Sequence, residues 1–334
     1  MAFSSSKPTF VLISGGWHRA DYWSEVAADL RVEGHGVIPL ALPSASSDPD
    51  VTFLDDLTSV RDVIRKETEH GGRDVVIATH SLGTVVGASA IKGFTAAAAA
   101  DADKAKGMLT PPPEGDSDND SEIDEDVHQS TATASATVPD ELSMQDEHEP
   151  PRRGHVIGFV TVATGFVPTG ACFLAALGGT PPPLWRYVSE PRVLTTDADD
   201  LADDGPDTTT RAFCAVRVSA REAFYGDLPV EEGERWVARL LPQGSKAVAE
   251  GGEHVYAGWL DVPCWSLVAT EDRAFPYEGQ KASIQAARDA GADIWSEEIA
   301  ASHSPMLSRP AETADFLRRA AVAFEEKASS RWRK

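Results

Sequence analysis

The sequence predicts an α/β protein, a doubly wound and mostly parallel sheet that carries a small helical cap. Three observations predict it. Asp74 to Ala78 contains the unbroken apolar run Val75-Val76-Ile77, as expected of a strand covered on both faces. Runs of this kind alternate with helical stripes along the chain, and strand–helix–strand alternation implies parallel strands joined by crossovers. Between Gly165 and about Trp259 the strand signals weaken while aromatic bulk persists, including Phe173, Trp185, Phe224, Tyr225 and Trp236. Such a segment suits short helices laid over the C-terminal edge of the sheet, where they exclude water and shape a pocket.

Each element follows in order. Thr9 to Ile13 is a short strand. Ser14-Gly15-Gly16-Trp17-His18 comes next, and its glycines let the backbone approach another group closely. Ala20 to Leu30 reads as a helix with Asp21 near its start as the cap. Gly36 to Leu40 is the second strand. Val51 to Thr68 places Val51, Leu54, Leu57, Val60 and Ile64 on one helical stripe and leads through Gly71-Gly72 to the Val75 strand. Thr84 to Ile91 is a helix of small residues, which Thr95 and the alanines after it extend.

The pattern then breaks. Asp101 to Pro150 holds 15 acidic residues and two lysines, more than half of the chain's net charge of −23. So polar a stretch buries too little apolar surface to offset its ordering entropy, and 99–153 is expected to be a disordered acidic insertion. Residues 1–98 and 154–334 then form one domain, with the cap at about 168–260. His155 to Thr164 is a buried strand. Pro229 to Leu241 is a helix opened by proline, and the acidic patch Asp197 to Asp207 reads as a loop. Pro263 to Ala269 resumes the sheet, a helix covers Glu278 to Ala290, Ala292 to Glu298 is the last strand, and Ala311 to Lys327 closes the chain as an amphipathic helix.

Composition narrows the function classes. A net charge of −23 and a pI of about 4.7 argue against nucleic acid or an anionic membrane as partner. Cys172, Cys214 and Cys264 are odd in number and widely spaced, matching neither a disulfide framework nor a zinc site and suiting a reducing compartment. The N-terminus lacks the basic start and long apolar run of a secretion signal, and no stretch reaches the ~18 apolar residues of a membrane span. A cytoplasmic location is expected. No His, Asp or Glu cluster has metal spacing and no glycine loop cradles phosphate, so no metal or other cofactor is expected.

The chemistry gathers at Thr79-His80-Ser81-Leu82-Gly83. A serine in a tight turn between a strand and a helix is the context that gives a G-x-S-x-G elbow its meaning, although Thr79 replaces the first glycine here. The helix after the turn aims its N-terminal N–H groups at an oxyanion formed there. Two later residues follow strands, at the edge where open α/β sheets bind ligands: Asp272 and His303. A serine hydroxyl needs a base, which imidazole supplies near neutral pH, and a carboxylate on the far ring nitrogen holds the tautomer. Ser81, Asp272 and His303 form that set, with Glu271 as the alternative acid. His80 is expected to pack beside the elbow and His18 to line the pocket.

With these residues in place, the chain resembles the alpha/beta-hydrolase superfamily, and most of all its branch of plant methylesterases, hydroxynitrile lyases and fungal hydrolases. The resemblance is carried by Phe10 to His18, Ala41 to Ser44, Thr79 to Gly83, Glu271 to Pro276 and Ser302 to Pro310. It implies Ser81 as nucleophile, Asp272 as acid and His303 as base, with an oxyanion hole made by the N–H of Leu82 and that of Gly16 or Trp17. The lyases carry a lysine directly after the catalytic histidine; Ser304 stands there instead, which favours hydrolysis. The expected substrate is a carboxylic ester or lactone of a small, mostly apolar molecule. The alternatives are lyase or carbon–carbon hydrolase chemistry on the same scaffold, or a non-catalytic receptor.

Overall fold

A computed structural model describes residues 7–107, 153–180, 185–189, 191, 213–216 and 219–331. Its centre is a six-stranded sheet in the order β2-β1-β3-β4-β8-β9 (Val37–Leu40, Thr9–Ile13, Val75–His80, Val156–Val162, Cys264–Ala269 and Ile294–Ile299), parallel at every pairing. The inner strands are buried at every position of β1, β3 and β4, which explains their unbroken apolar runs. Successive strand residues point to opposite faces, and two cores result. Val11, Ile13, Val75 and Ile77 pack into one; Phe10, Leu12, Val76 and Ala78 pack into the other.

Helices cover both faces. α1 (Ser24–Val32) and α11 (Pro310–Arg331) pack together on one, with Trp23, Leu30, Phe316 and Phe324 in its core. α2 (Phe53–Arg65) and α3 (Gly83–Ala90) pack together on the other. α9 (Tyr277–Asp289) bridges β8 and β9.

Several boundaries differ from expectation. The first helix is preceded by a 3₁₀ turn, Ala20–Trp23, and Asp21 is no cap: it lies inside that turn and pairs with Arg239 of the cap. α2 begins at Phe53, where Thr52 and Asp55 form a capping box. That start puts Phe53, Asp56, Leu57, Val60 and Ile64 on the buried face and leaves Leu54 exposed. The alanines after Thr95 do not extend α3 but form a separate helix, α4 (Ala96–Gly107), so the expected insertion is helical at its start. The rest of that acidic stretch, 108–152, lies outside the described residues, as does the Asp197 to Asp207 patch.

The segment between β4 and β8 is more than a helical cap. Short helices α5 (Phe173–Ala176), α6 (Ala220–Tyr225), α7 (Val230–Val237) and α8 (Lys246–Ala249) are joined by a three-stranded antiparallel sheet of β5 (Trp185–Val188), β6 (Phe213–Val216) and β7 (Gln243–Gly244). Strands of two to four residues are too short to show alternation, so the sequence carries no strand signal there. A one-turn helix, α10 (Pro305–Ser308), precedes α11.

Candidate active site

β3 ends at His80, and Ser81 turns the chain into α3 with a left-handed φ of 49°. A β-carbon resists that conformation, so the surroundings must hold it. The Ser81 N–H donates to Val162 O (3.3 Å), and Ser81 O accepts from the Thr84 N–H and from Thr164 Oγ1, each at 3.0 Å. Two glycines allow the close packing. A β-carbon on Gly83 would sit 2.4 Å from Ser14 O, and one on Gly15 would sit 3.0 Å from Ser81 Cβ. Thr79 fits because Gly87, one turn into α3, leaves space for its methyl; a β-carbon on Gly87 would meet Thr79 Cγ2 at 2.4 Å. The Thr79 hydroxyl donates to Val160 O (3.1 Å) and lies 3.0 Å from Thr84 Oγ1.

Asp272 follows β8 and His303 follows β9. His303 Nδ1 donates to Asp272 Oδ2 at 2.8 Å, and both side chains are buried. The carboxylate is satisfied on every side: Oδ1 accepts from the N–H groups of Ala274 and Phe275 (2.8 Å each), and Oδ2 accepts a second bond from Gln280 Nε2 (3.0 Å). Glu271 points to solvent and makes no bond to the imidazole. The Ser302 N–H and hydroxyl both bond the Asp227 carboxylate of the cap, which anchors the histidine loop.

His80 and His18 lie beneath the site. His80 Nε2 donates to His303 O (2.8 Å), and its Nδ1 then accepts from Tyr22 Oη (2.9 Å). His18 does not line the cavity as expected; it is buried, with Nδ1 donating to Gly16 O (2.6 Å) and Nε2 accepting from Tyr225 Oη (2.9 Å). Burial pushes both imidazoles towards the neutral form, His80 well below its ordinary value and His18 down to about 3.

Ser81 and His303 open on one cavity of about 490 Å³. Phe173, Phe224 and Val248 of the cap face it, together with Trp17, Leu82 and Phe275. Among its described lining residues there is no Asp, Glu, Lys or Arg. The sequence left Gly16 and Trp17 as alternatives for one oxyanion donor. The Trp17 N–H already donates to Gln243 Oε1 (3.2 Å), whereas the N–H groups of Gly16 and Leu82 meet no acceptor among the described residues. Sequence reasoning missed Gln243, Tyr22, Tyr225, Asp227 and Gln280. Only Gln280 left a signal, a polar residue on the stripe shared with Ile284 and Ala287.

The sequence profile described as the alpha/beta hydrolase family matches residues 10–316. An alpha/beta hydrolase of Aspergillus novofumigatus, nvfD, is 29% identical over 90 residues, which is 27% of this chain and 36% of that protein's length. Among solved structures, polyneuridine aldehyde esterase superimposes with a TM-score of 0.58 at 16% identity, covering 93% of this chain and 98% of that one. Tomato methylketone synthase I, in complex with 2-tridecanone, gives 0.58 at 16% identity with coverage of 95% and 99%. A pyrethroid hydrolase from Sphingobium faniae gives 0.56 at 17% identity with coverage of 96% and 99%. At these identities the likeness is one of fold.

Proposed function

The chain belongs to the alpha/beta hydrolase family, and on that premise we propose that it is a serine hydrolase cleaving a carboxylic ester or lactone of a small, mostly apolar molecule. The observation that carries it is the His303 Nδ1–Asp272 Oδ2 bond of 2.8 Å behind an imidazole that shares its cavity with Ser81. With Nδ1 donating to the carboxylate, Nε2 is the nitrogen left to take the serine proton.

Ser81 Oγ would add to the carbonyl as its proton passes to His303 Nε2. The N–H groups of Gly16 and Leu82 would receive the oxyanion, each worth about 3 kcal/mol in the transition state. Collapse would expel the alcohol, protonated by His303, and water activated by the same imidazole would release the acid. The lack of a charged side chain among the described lining residues supports an uncharged substrate, since a desolvated ion would find no partner among them.

The test is Ser81→Ala assayed on a panel of neutral esters of graded chain length. Loss of about 10⁶ in kcat is expected, and undiminished hydrolysis in the variant sinks the mechanism. Release of an alcohol plus an acid separates ester hydrolysis from lyase or carbon–carbon chemistry, and rapid labelling by a fluorophosphonate separates an enzyme from a receptor.

A further inference from the structure

The loop from Gly15 to Trp17 is tied down at all but one of its main-chain polar groups. The Gly15 N–H donates to Tyr22 Oη (3.1 Å) and Gly15 O accepts from the His18 N–H (3.4 Å). Gly16 O accepts from His18 Nδ1, the Trp17 N–H donates to Gln243 Oε1, and Trp17 O accepts from the Leu241 N–H (2.7 Å). The Gly16 N–H is the exception among the described residues. Trp17 itself is strained, with a left-handed φ of 63° that a non-glycine residue holds only under outside restraint.

The Gly16–Trp17 peptide is therefore gripped at both ends, and both grips lead into the cap. Gln243 belongs to β7. Its Nε2 donates to Ser44 Oγ (2.9 Å) and to Gly244 O (3.2 Å), which leaves Oε1 as the atom facing Trp17. Ser44 is fixed in turn by the buried Asp56, whose carboxylate accepts from its N–H (2.8 Å) and hydroxyl (2.6 Å). At the other end, Tyr225 of α6 donates to His18 Nε2, so the proton of that neutral ring stays on Nδ1, facing Gly16 O.

We propose that Gln243 and Tyr225 are positioning residues through which the cap sets the aim of the Gly16 N–H, so that the oxyanion hole is complete only with the cap docked on this loop. Neither side chain lines the cavity, and both act through Trp17 and His18. Released from them, the strained turn relaxes towards ordinary backbone and the direction of the neighbouring N–H changes with it. This inference rests on the hydrolase reading of Ser81.

The test uses the full chain and two volume-conserving variants, Gln243→Met and Tyr225→Phe. Inhibition by an aryl-alkyl trifluoromethyl ketone, which becomes an oxyanion when serine adds to it, is compared with that by the methyl ketone of the same skeleton. Each variant is expected to lose roughly tenfold or more in trifluoromethyl-ketone affinity and in kcat, a share of the 10²–10³ that a whole donor is worth. Methyl-ketone affinity and KM stay within about twofold, because ground-state binding does not use the hole. Equal losses for both ketones, or no loss in a folded variant, overturn the proposal; if Gln243→Met does not fold, Tyr225→Phe decides. A parent protein without Ser81-dependent hydrolysis overturns the functional reading instead.

Discussion

At the residue scale, buried imidazoles and carboxyls shape the response to acid. His18 and His80 are held neutral by burial, so below their ordinary value of 6.5 the unfolded chain binds protons that the native chain refuses. Stability therefore falls as pH drops through 6.5, and for His18 it continues to fall to about pH 3. Asp56 acts in the opposite sense. Burial raises its carboxyl from 3.8 to about 6, so the native chain is the more protonated one in that window and loses stability as pH rises through it. Burial holds His35 towards the neutral form as well, and hydrogen bonds hold the carboxyls of Asp55, Glu67 and Asp315 low, so these groups act with His18 and His80 against Asp56, and acidification from pH 6.5 to 4 is expected to destabilise the fold. His18→Asn retains a donor for Gly16 O and removes one titrating group. Its urea-unfolding free energy should depend less steeply on pH, by up to ~1.4 kcal/mol per pH unit; an unchanged slope would show that His18 is not held neutral.

At the element scale, the long helix α11 is seated on β4 through one small residue. A β-carbon on Gly158 would lie 2.0 Å from Phe324 Cδ2, so the ring rests directly on the strand backbone. Gly158→Ala is expected to push the helix outward and cost about 1–3 kcal/mol in urea unfolding. Phe324→Leu in the same chain should recover part of that cost, because the two changes share one contact; additive effects would mean that the helix is seated elsewhere. This seating was not legible in the sequence, because a glycine inside a strand run does not name the side chain above it. The elements themselves were legible wherever they were long and periodic: β1, β3, β4, β8, α2 and α9 lie within a few residues of where apolar patterning puts them. The cap strands were not, since two to four residues carry no period.

At the scale of the whole molecule, more than half of the net charge belongs to one stretch of the sequence, Asp101 to Pro150. The acidic stretch follows α4 and returns to the chain just before β4, and the described contacts of the proposed site come from other segments. Replacing 108–152 with a short Gly/Ser linker is expected to leave kcat and KM for a neutral ester within about twofold while removing much of the net charge. A large fall in either constant would assign the stretch a part in the site. No helix among the described residues is long and apolar enough to cross a membrane.

What the sequence determined by itself was the order of the long, periodic strands and helices, the elbow at Ser81, and three residue types whose chemistry belongs together. These are local properties, since period, turn chemistry and side-chain reactivity are written residue by residue. Only the tertiary structure decided which polar side chains brace them. Gln243 on Trp17, Tyr225 on His18, Asp227 on Ser302 and Gln280 on Asp272 are each a single hydrogen-bonding group brought close by packing. The separations reach 226 residues, and no local pattern records a contact over that distance. Burial is what makes each contact matter: away from water, a polar group must find a partner within the fold, and the fold alone specifies which one.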